Sequence, residues 1–103
     1  RQRIAQAALG LDTLRSHALR TSGEQADPRA ASVSKYAWSN WHRDLGELAM
    51  DVMGTAGDLQ AQDDPLRRLQ QVFFFSRADT IYAGTNEIQL NLIAERGLGM
   101  PRG

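Results

Sequence analysis

The sequence contains no cysteine, which excludes disulfides, a thiol nucleophile and thiolate metal sites and makes a cytosolic location the expectation. Proline and glycine are scarce, at three and nine residues in 103, too few for a loop-rich or disordered chain. The longest unbroken apolar run is "VFFF" at residues 72–75, far short of the roughly 20 residues that span a bilayer. The opening "RQRIAQAALG" also lacks the apolar centre of a secretory signal. Charge of one sign is missing as well. Twelve bases balance twelve acids, and among the bases only Arg67 and Arg68 adjoin, so neither nucleic acid nor a membrane surface is expected as a partner.

What is present reads as helix. Hydrophobic residues make up 42% and charged residues 23% of the chain, the profile of one folded domain whose core buries roughly two thirds of its unfolded surface. The pattern begins already helical and without a cap, so the natural start is expected upstream of Arg1. Ile4, Ala8, Leu11, Leu14 and Ala18 mark a first helix over about residues 4–21, broken by Gly23. "QADPRAAS" then supplies Asp27 as cap and Pro28 in the first turn. Val33, Ala37, Trp41, Leu45, Leu48 and Val52 recur every three or four residues and define a long second helix that ends at "MGTAGD". "DDPLRR" repeats the Asp-Pro start, with Asp64 as cap, and leads a third helix to about Tyr82. A short turn at Ala83 and Gly84 precedes a fourth helix from Thr85. No strand alternation is seen, and the expected fold is an all-α antiparallel bundle of about four helices.

Two features indicate that the bundle belongs to something larger. At about 100° per residue, Phe73, Phe74 and Phe75 fan over more than half the circumference of their helix, so one face cannot bury all three. Ile88, Leu90, Leu92, Ile93 and Leu98 are likewise spread around the fourth segment, and a helix that is apolar on most sides is normally surrounded.

Few residues carry chemistry. His17 and His42 have no carboxylate or second histidine at ligand spacing and read as structural, so no metal is expected. "GTAG" at 54–57 lacks the lysine and preceding strand of a phosphate loop and reads as a tight turn. "AGTNE" is richer: Gly84 allows a sharp turn or a close ligand, Thr85 can cap, and the amides of Thr85, Asn86 and Glu87 form an acceptor-binding end. Ordinary capping explains the same residues equally well.

The segment "IYAGTNEIQLNLIAERGLGMPR" resembles the Ile-Tyr-x-Gly-Thr-Asn-Glu-Ile-Gln block, Ile-Ala-Glu-Arg and closing Leu-Gly-x-Pro of the acyl-CoA dehydrogenase family. "FFFSRADTIY", "ELAMDVMGTAGDL" and "ASVSKYAW" are similar to the elements before that block, so the resemblance runs from about Ala31 onward. It implies that residues 1–103 are a C-terminal helical domain, short of its amino-terminal part, of an FAD-dependent enzyme that desaturates acyl-CoA thioesters. Implied partners are an acyl-CoA substrate, an electron-transfer flavoprotein or similar acceptor, and further copies in a homodimer or homotetramer, with a heteromer as the alternative. Thr85, Asn86 and Glu87 match positions against FAD, and Gly84 a position beside the thioester. Asp51, Val52, Met53, Gly54 and Thr55 match a turn that touches the FAD of a neighbouring subunit. Ala83 stands where many members carry the catalytic glutamate. The resemblance therefore implies a base elsewhere, on a helix before Arg1, or a non-catalytic subunit serving an active partner.

Overall fold

The computed structural model describes residues 1–23, 27, 29–60 and 62–102. Four α-helices follow one another: α1 (Gln2–Thr21), α2 (Arg29–Met53), α3 (Asp64–Asp79) and α4 (Asn86–Leu92). A 3₁₀ turn, Gly54–Asp58, follows α2, and a π turn, Ile93–Gly97, extends α4. No strand occurs among the described residues, as the single helical period led one to expect.

The helix starts are local chemistry. The Asp27 carboxylate accepts the backbone N–H of Arg29 at 2.9 Å, satisfying one of the amides that a helix start leaves open; Pro28 lies outside the described residues. At α3 the expected cap is off by one residue. Asp63 occupies the cap position and makes no side-chain cap bond, while Asp64 already lies in the helix, pairs with Arg67 and is followed by Pro65. The helix end also falls earlier than expected, at Asp79 instead of Tyr82. The Ala78 carbonyl there receives both the Ile81 and Tyr82 amides, at 2.9 and 3.0 Å, and this shared acceptor closes the helix into a turn.

The long helix α2 is the spine, packed against α1, α3 and α4. The indole N–H of Trp41 donates to the Ala7 carbonyl at 2.9 Å and ties down α1. Arg77 of α3 clamps the other side: its guanidinium pairs with Glu47, donates to the Arg43 carbonyl at 3.0 Å and lies 4.7 Å from the Phe73 ring centre. Between these helices Gly46 faces Ser76 at close range. A Cβ on Gly46 would lie 2.6 Å from Ser76 Oγ and 3.0 Å from Phe73 Cα, so the missing side chain is what lets the helices approach.

The interior is unusually polar. Ala49 and Met53 are its buried hydrophobic residues, whereas Ser39, Ser76, Asp79 and Gln89 are buried polar ones. Large apolar side chains lie outside, with Phe74 68% and Phe75 62% exposed, as the fan of three phenylalanines required, and with Leu19, Ile81 and Leu98 also exposed. The radius of gyration is 16.3 Å, against about 13 Å for a compact domain of this length. The apolar outer faces are what the sequence pattern implied; the open, elongated shape is not something it signalled.

Gly46→Ala tests the α2–α3 crossing. Its gain in helix propensity, about 1 kcal/mol, is expected to be outweighed by overpacking worth about 1–3 kcal/mol. The midpoint of urea unfolding should fall; an unchanged or raised midpoint would mean that the helices can separate at little cost.

Candidate functional site

The candidate site is the junction between α3 and α4. Ala83 has φ 54° and Gly84 φ 92°, so two consecutive residues turn through the left-handed region. For an alanine that conformation costs about 1–2 kcal/mol, and it persists only where surrounding contacts impose it. Gln89, buried in the next helix, donates from Nε2 to the Ala83 carbonyl at 3.0 Å. A Cβ on Gly84 would stand 2.7 Å from that same Nε2. Glycine at 84 is thus required twice, for its backbone angle and for the room that Gln89 occupies.

The start of α4 faces two ways. Thr85 caps it, its hydroxyl accepting the Ile88 amide at 3.4 Å. Glu87 is exposed, and its carboxyl is held below the usual value by its own backbone amide first and by the Thr85 hydroxyl second. Asn86 points inward instead. Its Oδ1 accepts from Ser39 at 3.0 Å and its Nδ2 donates to Asn40 Oδ1 at 3.1 Å, both on α2. Its backbone amide is taken by the Thr80 carbonyl at 3.1 Å. Of the three amides expected to form an open acceptor end, that of Asn86 is engaged by the Thr80 carbonyl and that of Glu87 by its own carboxyl; the side chains of Thr85 and Glu87 make up the outward rim.

Beneath this turn lies a cluster that residue spacing did not reveal. Asp79, the last residue of α3, is fully buried. One carboxylate oxygen meets His42 Nδ1 on α2, and the other accepts the Tyr82 hydroxyl at 2.8 Å. This hydrogen bond holds the Tyr82 phenol above its usual pKa. His42 lies in a stack with Trp38 and Trp41, at ring-centre distances of 5.6 and 6.2 Å. The Asp79 carbonyl accepts Lys35 Nζ, which also sits 5.8 Å from the centre of the Tyr82 ring. His42 thus has a carboxylate partner after all, supplied by a residue 37 positions away; no short-range motif signals it. Beside His42, an apolar groove of about 800 Å³ is lined by Val72, Phe74, Phe75 and Ala78.

Asp51, Val52, Met53, Gly54 and Thr55 lie at the other end of α2. Thirteen residues separate Asn40 from Met53 on that helix, about 20 Å at 1.5 Å per residue, so the chain does not bring this segment to the Thr85 rim. Asp51 pairs with Arg3 of α1. Met53 is buried, while Asp51, Val52, Gly54 and Thr55 are exposed, so the exposed edge of the segment is formed by those four residues. No group of three or more potential metal ligands exists among the described residues, nor is any helix there long and apolar enough to cross a membrane.

The family profile described as "Acyl-CoA dehydrogenase, C-terminal domain" matches residues 1–98. The chain belongs to the acyl-CoA dehydrogenase family, and the match includes α1, which the motifs from Ala31 onward had not reached. Similar curated proteins are two acyl-CoA dehydrogenases named IpdE1. The one from Mycolicibacterium smegmatis is 52% identical over 102 residues, covering 99% of this chain and 26% of the relative. The one from Mycobacterium tuberculosis is 51% identical over 104 residues, covering 99% and 27%. The chain therefore spans about a quarter of the length of these relatives. No solved structure matches it.

Two outcomes check the geometry of the turn. Gly84→Ala should destabilise the chain by about 1–2 kcal/mol from backbone strain alone and displace the Gln89 amide, seen as faster hydrogen exchange at residues 85–89. The depressed Glu87 pKa means that ionised Glu87 favours the folded chain. Its contribution should be complete above its ordinary value of 4.5 and vanish as pH falls through the lower folded value. Urea midpoints of the wild type and Glu87→Gln should accordingly differ at pH 6, with the gap narrowing as pH falls below 4.5; a gap independent of pH would refute this.

Proposed function

We propose that the chain is the C-terminal part of a flavin-dependent acyl-CoA dehydrogenase, with its α3–α4 turn set against FAD and the acyl thioester. The observation that carries this reading is the Ala83–Gly84 turn with the Thr85 and Glu87 rim, in the segment whose resemblance to the family motif implies contact with cofactor and substrate. The family is FAD-dependent, and bound FAD would supply the hydride acceptor for α,β-desaturation.

The residues fit a polar cofactor group on one side only. Thr85 would offer its hydroxyl and Glu87 its carboxylate from the outer rim, while Asn86 would brace the helix start from below through Ser39 and Asn40. Gly84, without a side chain, would allow the thioester to approach the backbone. Rigid placement of these groups serves catalysis by orienting reactants, where an error of about 1 Å can cost about a hundredfold in rate. Asp51, Val52, Met53, Gly54 and Thr55, about 20 Å away along α2, would serve the FAD of a neighbouring copy in a homodimer or homotetramer. Their separation from the Thr85 rim agrees with a role between subunits. An electron-transfer flavoprotein or similar acceptor would reoxidise the enzyme, in the cytoplasm.

Ala83 cannot accept a proton. The base for α-proton removal must then come from chain beyond these residues, on a helix ahead of α1. Ala83 also favours a second reading, in which this protein is the non-catalytic subunit or scaffold of a heteromeric dehydrogenase. Purification separates the two. A full-length homomer that bleaches its flavin with an acyl-CoA supports the first; inactivity alone, with activity restored by a co-purifying homologue that carries the glutamate, supports the second.

The isolated 103 residues span about a quarter of the length of the curated relatives. They are expected to show no dehydrogenase activity and little FAD binding in equilibrium dialysis, and stoichiometric FAD retention would overturn that expectation.

A further inference from the structure

We propose that Asp79 is a positioning residue for the cofactor turn, its buried carboxylate joining His42 of α2 to Tyr82 and thereby holding Ala83 and Gly84 in their left-handed conformation. This inference rests on the flavoprotein reading above and adds to it a set of residues outside the family motif's cofactor and substrate positions.

Three observations support it. First, Asp79 is 0% exposed, and a carboxylate removed from water is costly unless its oxygens are occupied. Both are occupied, by groups from two different places: His42 Nδ1 on the spine helix and the Tyr82 hydroxyl within the turn. An apolar residue in place of a buried polar pair is often equal or better for stability, so the Asp79 carboxyl group is better explained by the geometry it specifies than by stability.

Second, apolar packing does not hold the turn. Tyr82 is 45% and Ile81 64% exposed. Tyr82 is kept in place by its hydroxyl bond to Asp79 and by Lys35, which sits over its ring and also binds the Asp79 carbonyl. Third, the strained residue follows immediately. Ala83 at φ 54° is gripped from ahead by Gln89 and Asn86, through the Ala83 and Thr80 carbonyls. The Asp79 contacts grip it from behind. Without the Asp79 contacts the rear of the turn keeps only the backbone bonds to the Ala78 carbonyl, and Ala83 and Gly84 lose their side-chain tie to α2 at His42, while Asn86 still holds the start of α4.

The test uses the full-length holoenzyme, with its partner subunit if activity requires one. The probe is the acyl-CoA that turns over fastest on the wild type in a chain-length series. Tyr82→Phe removes one hydroxyl and keeps the ring, so it should fold. His42→Leu removes the Asp79 contact, and His42→Asn returns an amide near the place of Nδ1. The readouts are FAD content, kcat per bound flavin, KM, and the visible spectrum of the flavin with acyl-CoA added.

The expected result for Tyr82→Phe and His42→Leu is a fall in kcat per bound flavin of about tenfold or more, a KM within about twofold, and an altered ligand-induced flavin spectrum. His42→Asn should recover most of what His42→Leu loses. Unchanged kcat per bound flavin and spectrum in both variants, even with a lower thermal midpoint, would overturn the positioning role and leave a purely stabilising contact. A wild type with neither FAD nor acyl-CoA turnover would instead overturn the functional reading, and this inference with it.

Discussion

The structure depends on a seam of polar contacts along one side of α2. Ser39 and Asn40 hold Asn86, and His42 meets Asp79. Further along, Gly46 gives way to Ser76, and Glu47 with the Arg43 carbonyl holds Arg77. Apolar contacts tolerate sliding, but a buried donor or acceptor left without its partner costs about 1–3 kcal/mol. Shifting α3 or the start of α4 along α2 by one residue would break several of these contacts together. The seam therefore sets the register of the bundle, and with it the height of the α3–α4 turn.

Apolar side chains are shared unequally between inside and outside. A bundle with Ala49 and Met53 as its buried apolar residues has little hydrophobic burial to stabilise it at roughly 25 cal/mol per Å². Its apolar surface has been kept for outer faces, among them the groove lined by Phe74 and Phe75. Single exposed apolar residues are ordinary, but contiguous apolar faces mark places where other protein belongs. The chain covers about a quarter of its relatives' length.

The α3–α4 turn is fixed to this seam. Thr85 and Glu87 form its outward rim, while Asn86, in the middle of the same motif, is committed to α2. Three adjacent residues thus divide into two on the rim and one held against the spine helix. Ala83 belongs to the same economy. Its backbone lies in the left-handed conformation, while its methyl side chain has no group that can take a proton.

The sequence by itself determined the helical class, the approximate extent of each helix, the family, and the excess of apolar surface. Each of these follows from short-range regularities: a period of 3.6 residues, Asp-Pro starts, a contiguous motif, and the impossibility of burying three successive phenylalanines on one face. The small errors at Asp64 and Tyr82 arose where neighbouring residues compete for the same cap or the same carbonyl. Only the tertiary structure decided that Asn86 turns inward, that the Asp51 segment lies far from Thr85, and that His42 has a partner in Asp79. Those facts depend on the register between α2, α3 and α4, which buried polar pairs distant in sequence impose and which no local pattern encodes.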